Sequence, residues 1–205
     1  MVNPPKSVLT IMAHPDDAEL WAGGYLAQCV HIGAQVTIAL PRHGPERDAE
    51  AEAGAVVLGT QLRPLEDADS TCLAALLKEE RPEVVITHPA RDIHPDHRRV
   101  VEALLEALPE TVISTGYPQR VYTTDSYNGL TLDGPIAPAS VVDISGTFET
   151  KLRALEQHRS QPINDHFGPM ARTLAHLWGA RIGTTYAENY TPFPVLGRLP
   201  HTTHL

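Results

Sequence analysis

Ser7–Leu20 reads SVLTIMAHPDDAEL. The run from Ser7 to Ala13 is apolar, short and closed by His-Pro, the pattern of a buried strand rather than of an amphipathic helix. It ends by delivering one imidazole, His14, and two adjacent carboxylates, Asp16 and Asp17, to a single loop. Outward from this strand the elements alternate. Leu20–Ile32 reads as a helix ending at Gly33, Gln35–Leu40 as a strand and Pro45–Leu58 as a helix. A strand at Gln61–Leu65, a helix at Ser70–Glu80, a strand at Glu83–Thr87 and a helix at His97–Leu108 follow.

Strands separated by helices of this length form βαβ units with right-handed crossovers, which predicts an α/β fold: a Rossmann-like, mostly parallel sheet flanked by helices. Beyond Pro109 the pattern loosens into a small irregular C-terminal part. Arg120–Thr124 and Ser140–Ile144 read as strands and Phe148–Gln157 as a helix. From Pro162 onward, Pro-rich and Gly-rich connections surround one helix near Met170–Trp178. There is no repeat, low-complexity tract or linker, so residues 1–205 are expected to form one domain. Gly23 and Gly24 make no GxGxxG turn and fall inside a helix, which predicts close packing of that helix on the sheet rather than a nucleotide site.

The loop after the first strand has the composition of a metal site. A zinc-type ion takes neutral imidazole and carboxylate ligands, and a catalytic centre keeps three protein ligands with one open position. His14 and Asp17, three apart, supply two. With Asp17 turned to the metal, Asp16 points elsewhere and is free to accept a proton. The third ligand comes from far along the chain, where residues 88–97, HPARDIHPDH, offer His88, His94 and His97. HPDH reads as a helix start, with His94 at the N-cap, Pro95 at the first helical position and His97 in the first turn. Taken alone, a His or Asp beside Pro is more often a cap or turn residue than a ligand; two such clusters at the same ends of strands form the convergence expected of a site. Asp96 either favours the helix N-terminus or orients a ligand imidazole or His94.

HPDDAEL followed in mid-chain by DIHPDH resembles the zinc-dependent N-deacetylases of the PIG-L/LmbE-like family. Further segments resemble it: Arg47 and Glu50 in a helix running into Leu58-Gly59, KLRALEQHRSQ with Lys151, His158, Ser160 and Gln161, and the Tyr186–Tyr190 stretch with Ala187 and Glu188. The resemblance spans about residues 7 to 195. It implies that His14, Asp17 and His97 hold zinc, that Asp16 is the general base and that His94 stabilises the oxyanion; Asp96, through its orienting role, is counted with the catalytic residues on its position alone. Each role is chemically coherent. The metal activates water and polarises a carbonyl, while one carboxylate takes the water proton and returns it to the leaving amine. Two His and one carboxylate also form the facial triad of iron(II) oxygenases, but an adjacent free carboxylate serves hydrolysis and not oxygen activation. A non-catalytic metal-binding or sugar-binding α/β module is the reading from a different class, and the presence of Asp16 speaks against it.

A net charge of −9 argues against nucleic-acid or anionic-membrane partners, which demand a basic footprint. Neutral or cationic small molecules fit better; the resemblance implies that the partner is a small N-acylated substrate, an amino sugar or a related metabolite, and a homo-oligomer is compatible. Met1–Lys6 has no signal-peptide character and no run reaches a membrane span, so a cytoplasmic location is expected. Cys29 and Cys72, in predicted helices, read as small hydrophobes. The segment Leu199–Leu205, with His201 and His204, reads as a disordered tail. Candidates for substrate contact are His43 and Arg47 in the short loop PRHGPERD, and Asp125, Tyr127 and Asn128 after a strand. Asn128-Gly129 is equally a tight turn. Arg91, Arg98 and Arg99 read as a carboxylate-binding set or, preferably, as a solvated helix face.

Overall fold

The computed structural model describes residues 4–199; Met1–Asn3 and the stretch holding His201 and His204 lie outside the described residues. Strand β1 (Ser7–Ile11) leads through the His-Pro loop into α1 (Asp17–His31). Then follow β2 (Gln35–Pro41), α2 (Pro45–Leu58), β3 (Gln61–Leu65), α3 (Ser70–Glu80), β4 (Val84–Thr87), α4 (Pro95–Thr115) and β5 (Arg120–Thr123). The second half adds a small hairpin of β6 (Leu130–Thr131) and β7 (Gly134–Pro135), then β8 (Ser140–Asp143), α5 (Phe148–Leu155), α6 (Gly168–Ile182) and β9 (Ala187–Phe193).

The main sheet runs β3-β2-β1-β4-β5-β9-β8, with the first five strands parallel. Side chains alternate across β1. Val8 and Met12 pack with α1, α2 and α5 on one face, whereas Leu9 and Ile11 pack with α3 and α4 on the other. Burial on both faces explains the unbroken apolar run that marked this strand in the sequence. A third cluster joins Leu20 and Trp21 of α1 to Phe148, Leu152, Met170 and Trp178 of α5 and α6. Because β1 is flanked by β2 on one side and β4 on the other, the strand order reverses between β1 and β4, and the crevice at their carboxyl ends is where such sheets place ligands.

Several boundaries differ from the sequence reading. Helix α1 begins at Asp17, not Leu20, which places Asp17 and Glu19 in its first turn, where negative charge complements the helix dipole. Helix α4 passes through Pro109 to Thr115 instead of ending at Leu108. A proline removes one backbone bond, and here Leu108 and Thr111 stay buried on either side of it, with Thr111 Oγ1 donating to the Ala107 carbonyl at 2.8 Å.

The largest omission is β9, which turns the far end of the sheet antiparallel. Its sequence, AENYTPF, has weak strand propensity and contains Pro192. Tertiary contacts hold it. Buried Lys151 donates to Glu188 Oε1 at 2.6 Å, and the same carboxylate accepts from the Gly24 and Tyr25 N–H groups and from the Tyr190 hydroxyl. Pro192 is tolerated because β8 pairs only with Ala187–Tyr190, so that among the described strands Pro192 faces β5 alone.

The two glycines of α1 are also placed differently from expectation. Gly23 meets Lys151 and Gly24 meets Ile144, so they admit the C-terminal part rather than the sheet. A Cβ at Gly24 would stand 2.6 Å from Ile144 Cδ1 and 2.8 Å from its Cβ. Gly24→Ala is therefore expected to destabilise the fold by roughly 1–3 kcal/mol, the usual cost of overpacking. Urea unfolding checks this; an unchanged midpoint would show that Ile144 moves aside freely. Cys29 is buried, Cys72 is half-buried, and both are free thiols.

Candidate metal centre

His14 leaves the end of β1 and Asp17 opens α1, while His97 lies in the first turn of α4, which starts after β4. His94 is the N-cap of α4, and its Nδ1 accepts the Asp96 N–H at 3.2 Å. Three ligand-type atoms converge. His14 Nδ1 is 3.2 Å from Asp17 Oδ2, His97 Nε2 is 3.4 Å from the same oxygen, and the two nitrogens are 3.3 Å apart. Ligands at about 2.0–2.1 Å on a tetrahedral ion stand about 3.3 Å from one another. The triangle therefore has the dimensions of one face of such a site, and a His14, His94, His97 grouping within 4.8 Å extends it. These residues fit a metal ion.

The charge distribution agrees. Burial pushes the Asp17 carboxyl up, but His88, His14 and His97 outweigh it and hold the group well below the usual carboxylate range. Burial pulls the His97 imidazole down, yet contacts with Asp17 and Asp92 raise it to about 9. His94 is lowered by burial and by its cationic neighbours His97 and His14. Asp17 is further oriented by the His14 N–H, donated to Oδ2 at 2.8 Å, and by Trp21 Nε1, donated to Oδ1 at 3.3 Å.

Asp16 is set apart from this triangle, as a carboxylate next to a ligand has to be if it is to handle protons. It is buried and sits on left-handed backbone, φ 97°, a conformation rare for a residue with a Cβ. Arg47 Nη2 stabilises the arrangement by donating to the Pro15 carbonyl at 2.7 Å and to Asp16 Oδ1 at 3.0 Å. Burial and the adjacent Asp17 push the Asp16 carboxyl up to about 7, with His158 and Arg47 pulling it back.

Two neighbours emerge whose place the sequence reading did not fix: Asp92, to which it assigned no role, and His88, which it offered only as one of three candidates for the third ligand. Asp92, not Asp96, stands 3.1 Å from His97 Nδ1, both groups being buried, and its Oδ1 accepts the His94 N–H at 2.8 Å. Asp96 lies on the outer side of the first helical turn, bonded to Arg99 and 3.5 Å from His14 Nε2. His88 is wholly buried. It stacks on His97 at 3.7 Å between ring centroids, and its Nε2 accepts the Ala13 N–H at 3.0 Å, tying the end of β1 to His97 of α4. The only available signal for both was their place inside HPARDIHPDH.

The substrate candidates divide. His43 is anchored by Pro41 and presents its ring 5.3 Å from that of His14. Tyr127 lies nearly parallel to His97, 6.0 Å away, and edge-on to Trp21. Arg47 is committed to the Pro15-Asp16 backbone and carboxylate. Asp125 is buried and accepts from Trp178 Nε1 and the Ser126 N–H, so it braces α6 instead of reaching the triangle. Asn128 occupies a left-handed turn position, φ 53°, on the surface. Of the arginines, Arg91 pairs with Asp133 and Arg99 with Asp96, while Arg98 holds the Asp92 and Ile93 carbonyls.

With this geometry in view, residues 9–108 match the sequence family described as PIG-L, GlcNAc-PI de-N-acetylase. The match covers just under half of the chain. The matched stretch contains His14, Asp16, Asp17, His88, Asp92, His94 and His97. A relative described as diacetylchitobiose deacetylase, from Thermococcus kodakarensis, is 26% identical over 91% of this chain and 82% of its own length. Among solved structures, N,N'-diacetylchitobiose deacetylase from Pyrococcus horikoshii superposes with a TM-score of 0.74 at 24% identity, covering 95% of this chain and 87% of its own. GalB, the 4-carboxy-2-hydroxymuconate hydratase from Pseudomonas putida KT2440, superposes at 0.78 with 20% identity, over 98% and 99%. Structures of this fold thus carry more than one chemistry, and the reaction has to be argued from the site. Among the described residues no helix is long and apolar enough to cross a membrane.

Proposed function

We propose that the chain is a zinc-dependent N-deacetylase, a single-domain enzyme that removes an acetyl group from the nitrogen of an amino sugar or a related small metabolite. The observation that carries this reading is the His14, Asp17, His97 triangle with a separate buried carboxylate, Asp16, beside it. The family description and the deacetylases among its relatives support the amide substrate.

His14, Asp17 and His97 would hold the ion. Zinc, when bound, lowers the pKa of water toward about 7 and polarises a carbonyl oxygen. Asp92 steadies His97 from its far nitrogen, and the Arg47 clamp aims Asp16. Asp16 accepts a proton from the attacking water as the C–O bond forms. It then returns that proton to the nitrogen as the C–N bond breaks, releasing carboxylic acid and amine. His94, with Nδ1 occupied by the Asp96 N–H, offers Nε2 to the developing oxyanion. Tyr127 and His43 flank the space in which the substrate sits.

The test is metal content by elemental mass spectrometry on protein purified without a metal-binding tag, paired with amine release from N-acetylglucosamine and N,N'-diacetylchitobiose. The expected result is about one zinc per chain and release of primary amine that stops on chelation and returns with added zinc. Metal-loaded protein that frees no amine from any N-acetylated sugar would overturn the reading.

A further inference from the structure

The mechanism leaves one enclosed polar pair without a task. His158 and Glu19 are buried, with His158 Nε2 3.5 Å from Glu19 Oε1 and neither imidazole nitrogen in a hydrogen bond. Burying such a pair is costly compared with apolar side chains of the same size, so its presence calls for a reason.

Helix α2 is shaped around it. A Cβ at Gly54 would stand 2.4 Å from Glu19 Oε1 and 3.0 Å from His158 Nε2, so the helix accepts a glycine in its interior, where alanine would favour it. Arg47, Glu50 and Gly54, spaced i, i+3 and i+7, share one face of α2. Each meets a different part of the same assembly. Gly54 receives the Glu19–His158 pair. Glu50 accepts from the Ser160 N–H at 2.7 Å and the Ser160 hydroxyl at 2.6 Å. Arg47 holds Pro15 and Asp16. Glu19 lies in the first turn of α1, three residues after Asp16, so one face of α2 reads the position of the loop, of α1 and of the 158–160 turn together.

We infer that His158 is a positioning residue for the general base: with Glu19 it sets how α2 seats on α1, and thereby keeps Arg47 on the carboxylate of Asp16. This rests on the reading of Asp16 as the base. The strained backbone at Asp16 makes the dependence strong, because the direction of its carboxylate is maintained by Arg47 rather than by a relaxed local conformation.

The experiment is a double-mutant cycle. His158→Ala is expected to lower kcat by about 10²-fold, the size of a misplaced catalytic group, with KM and bound metal unchanged. His158→Gln, which keeps a donor for Glu19, is expected to recover most of that loss. In an Arg47→Ala background the His158→Ala substitution should cost nothing further. Gly54→Ala disturbs the same pair from the opposite side and should reproduce the loss, which covers the case in which His158→Ala does not fold. An unchanged kcat, or the same fold-change with and without Arg47, overturns the inference. Amide hydrogen exchange at residues 45–50 gives a readout independent of turnover. Wild-type protein without activity would defeat the deacetylase reading, whereas unaltered exchange in His158→Ala would defeat this one.

Discussion

Asp16→Asn is expected to reduce kcat by about 10²–10⁴-fold, the usual contribution of a positioned acid/base group, while the bound metal and KM stay near wild type. The substitution keeps the size of the side chain and an oxygen that Arg47 can still grip, so the loop should retain its conformation. What it removes is the ability to take a proton from water and hand it to nitrogen. Stability should not fall. Burial and the neighbouring Asp17 already push the Asp16 carboxyl up to about 7, so a neutral amide relieves an unfavourable charge. Steady-state kinetics and elemental analysis on the same preparation decide the matter. An Asn variant with wild-type turnover and full metal would mean that another group handles the proton.

His97→Ala should act on both the metal and the fold. It deletes one corner of the triangle and leaves the buried carboxylates of Asp17 and Asp92 facing each other without the imidazole between them. Metal content is expected to drop to background and amine release with it. In the metal-free state the variant should also be less stable than wild type by about 3–5 kcal/mol, the cost of leaving a buried charge uncompensated. Urea unfolding in the presence of a chelator isolates the second effect. Asp92→Ala provides the graded comparison, since removing a carboxylate that orients a ligand imidazole typically weakens metal binding by about 10–100-fold without abolishing it. Full metal occupancy in His97→Ala would show that His94 or His88 replaces it as a ligand.

The sheet as far as β5, strand β8 and the two motifs of metal-site type could be read in the chain because their causes are local. Ser7–Ala13 is mostly apolar because β1 is covered on both faces, and the spacing of His14 and Asp17, or of His94 and His97, is set within a single loop or helical turn. Helix α4 shows where that reading fails. Pro109 is a valid stop signal for an isolated helix, but buried Leu108 and Thr111 carry the helix past it. For β9 the failure is complete: local propensity opposes a strand, and the Lys151–Glu188 pair, formed between residues far apart in sequence, imposes one.

The orienting carboxylate of His97 illustrates the same limit inside the site. Asp96 is the nearer residue along the chain, yet the helical start at Pro95 turns it outward toward Arg99, and the extended cap residue His94 brings Asp92 back onto the imidazole. His158 and Glu19 were visible as letters in family-like segments, but their meeting across Gly54 required α1, α2 and the turn after α5 to be docked.

From its own pattern of residues the chain determined an α/β fold and the gathering, at the carboxyl edge of the sheet, of residue types suited to metal binding and proton transfer. Burial, periodicity and capping act within a strand or a turn, so they leave a record in short stretches of sequence. Tertiary structure alone decided which imidazole lies 3.3 Å from His14, which carboxylate backs His97, and that Arg47 serves Asp16 rather than a ligand. Those choices depend on the angle and register at which separate elements pack, and packing is settled by contacts between residues that no local pattern links.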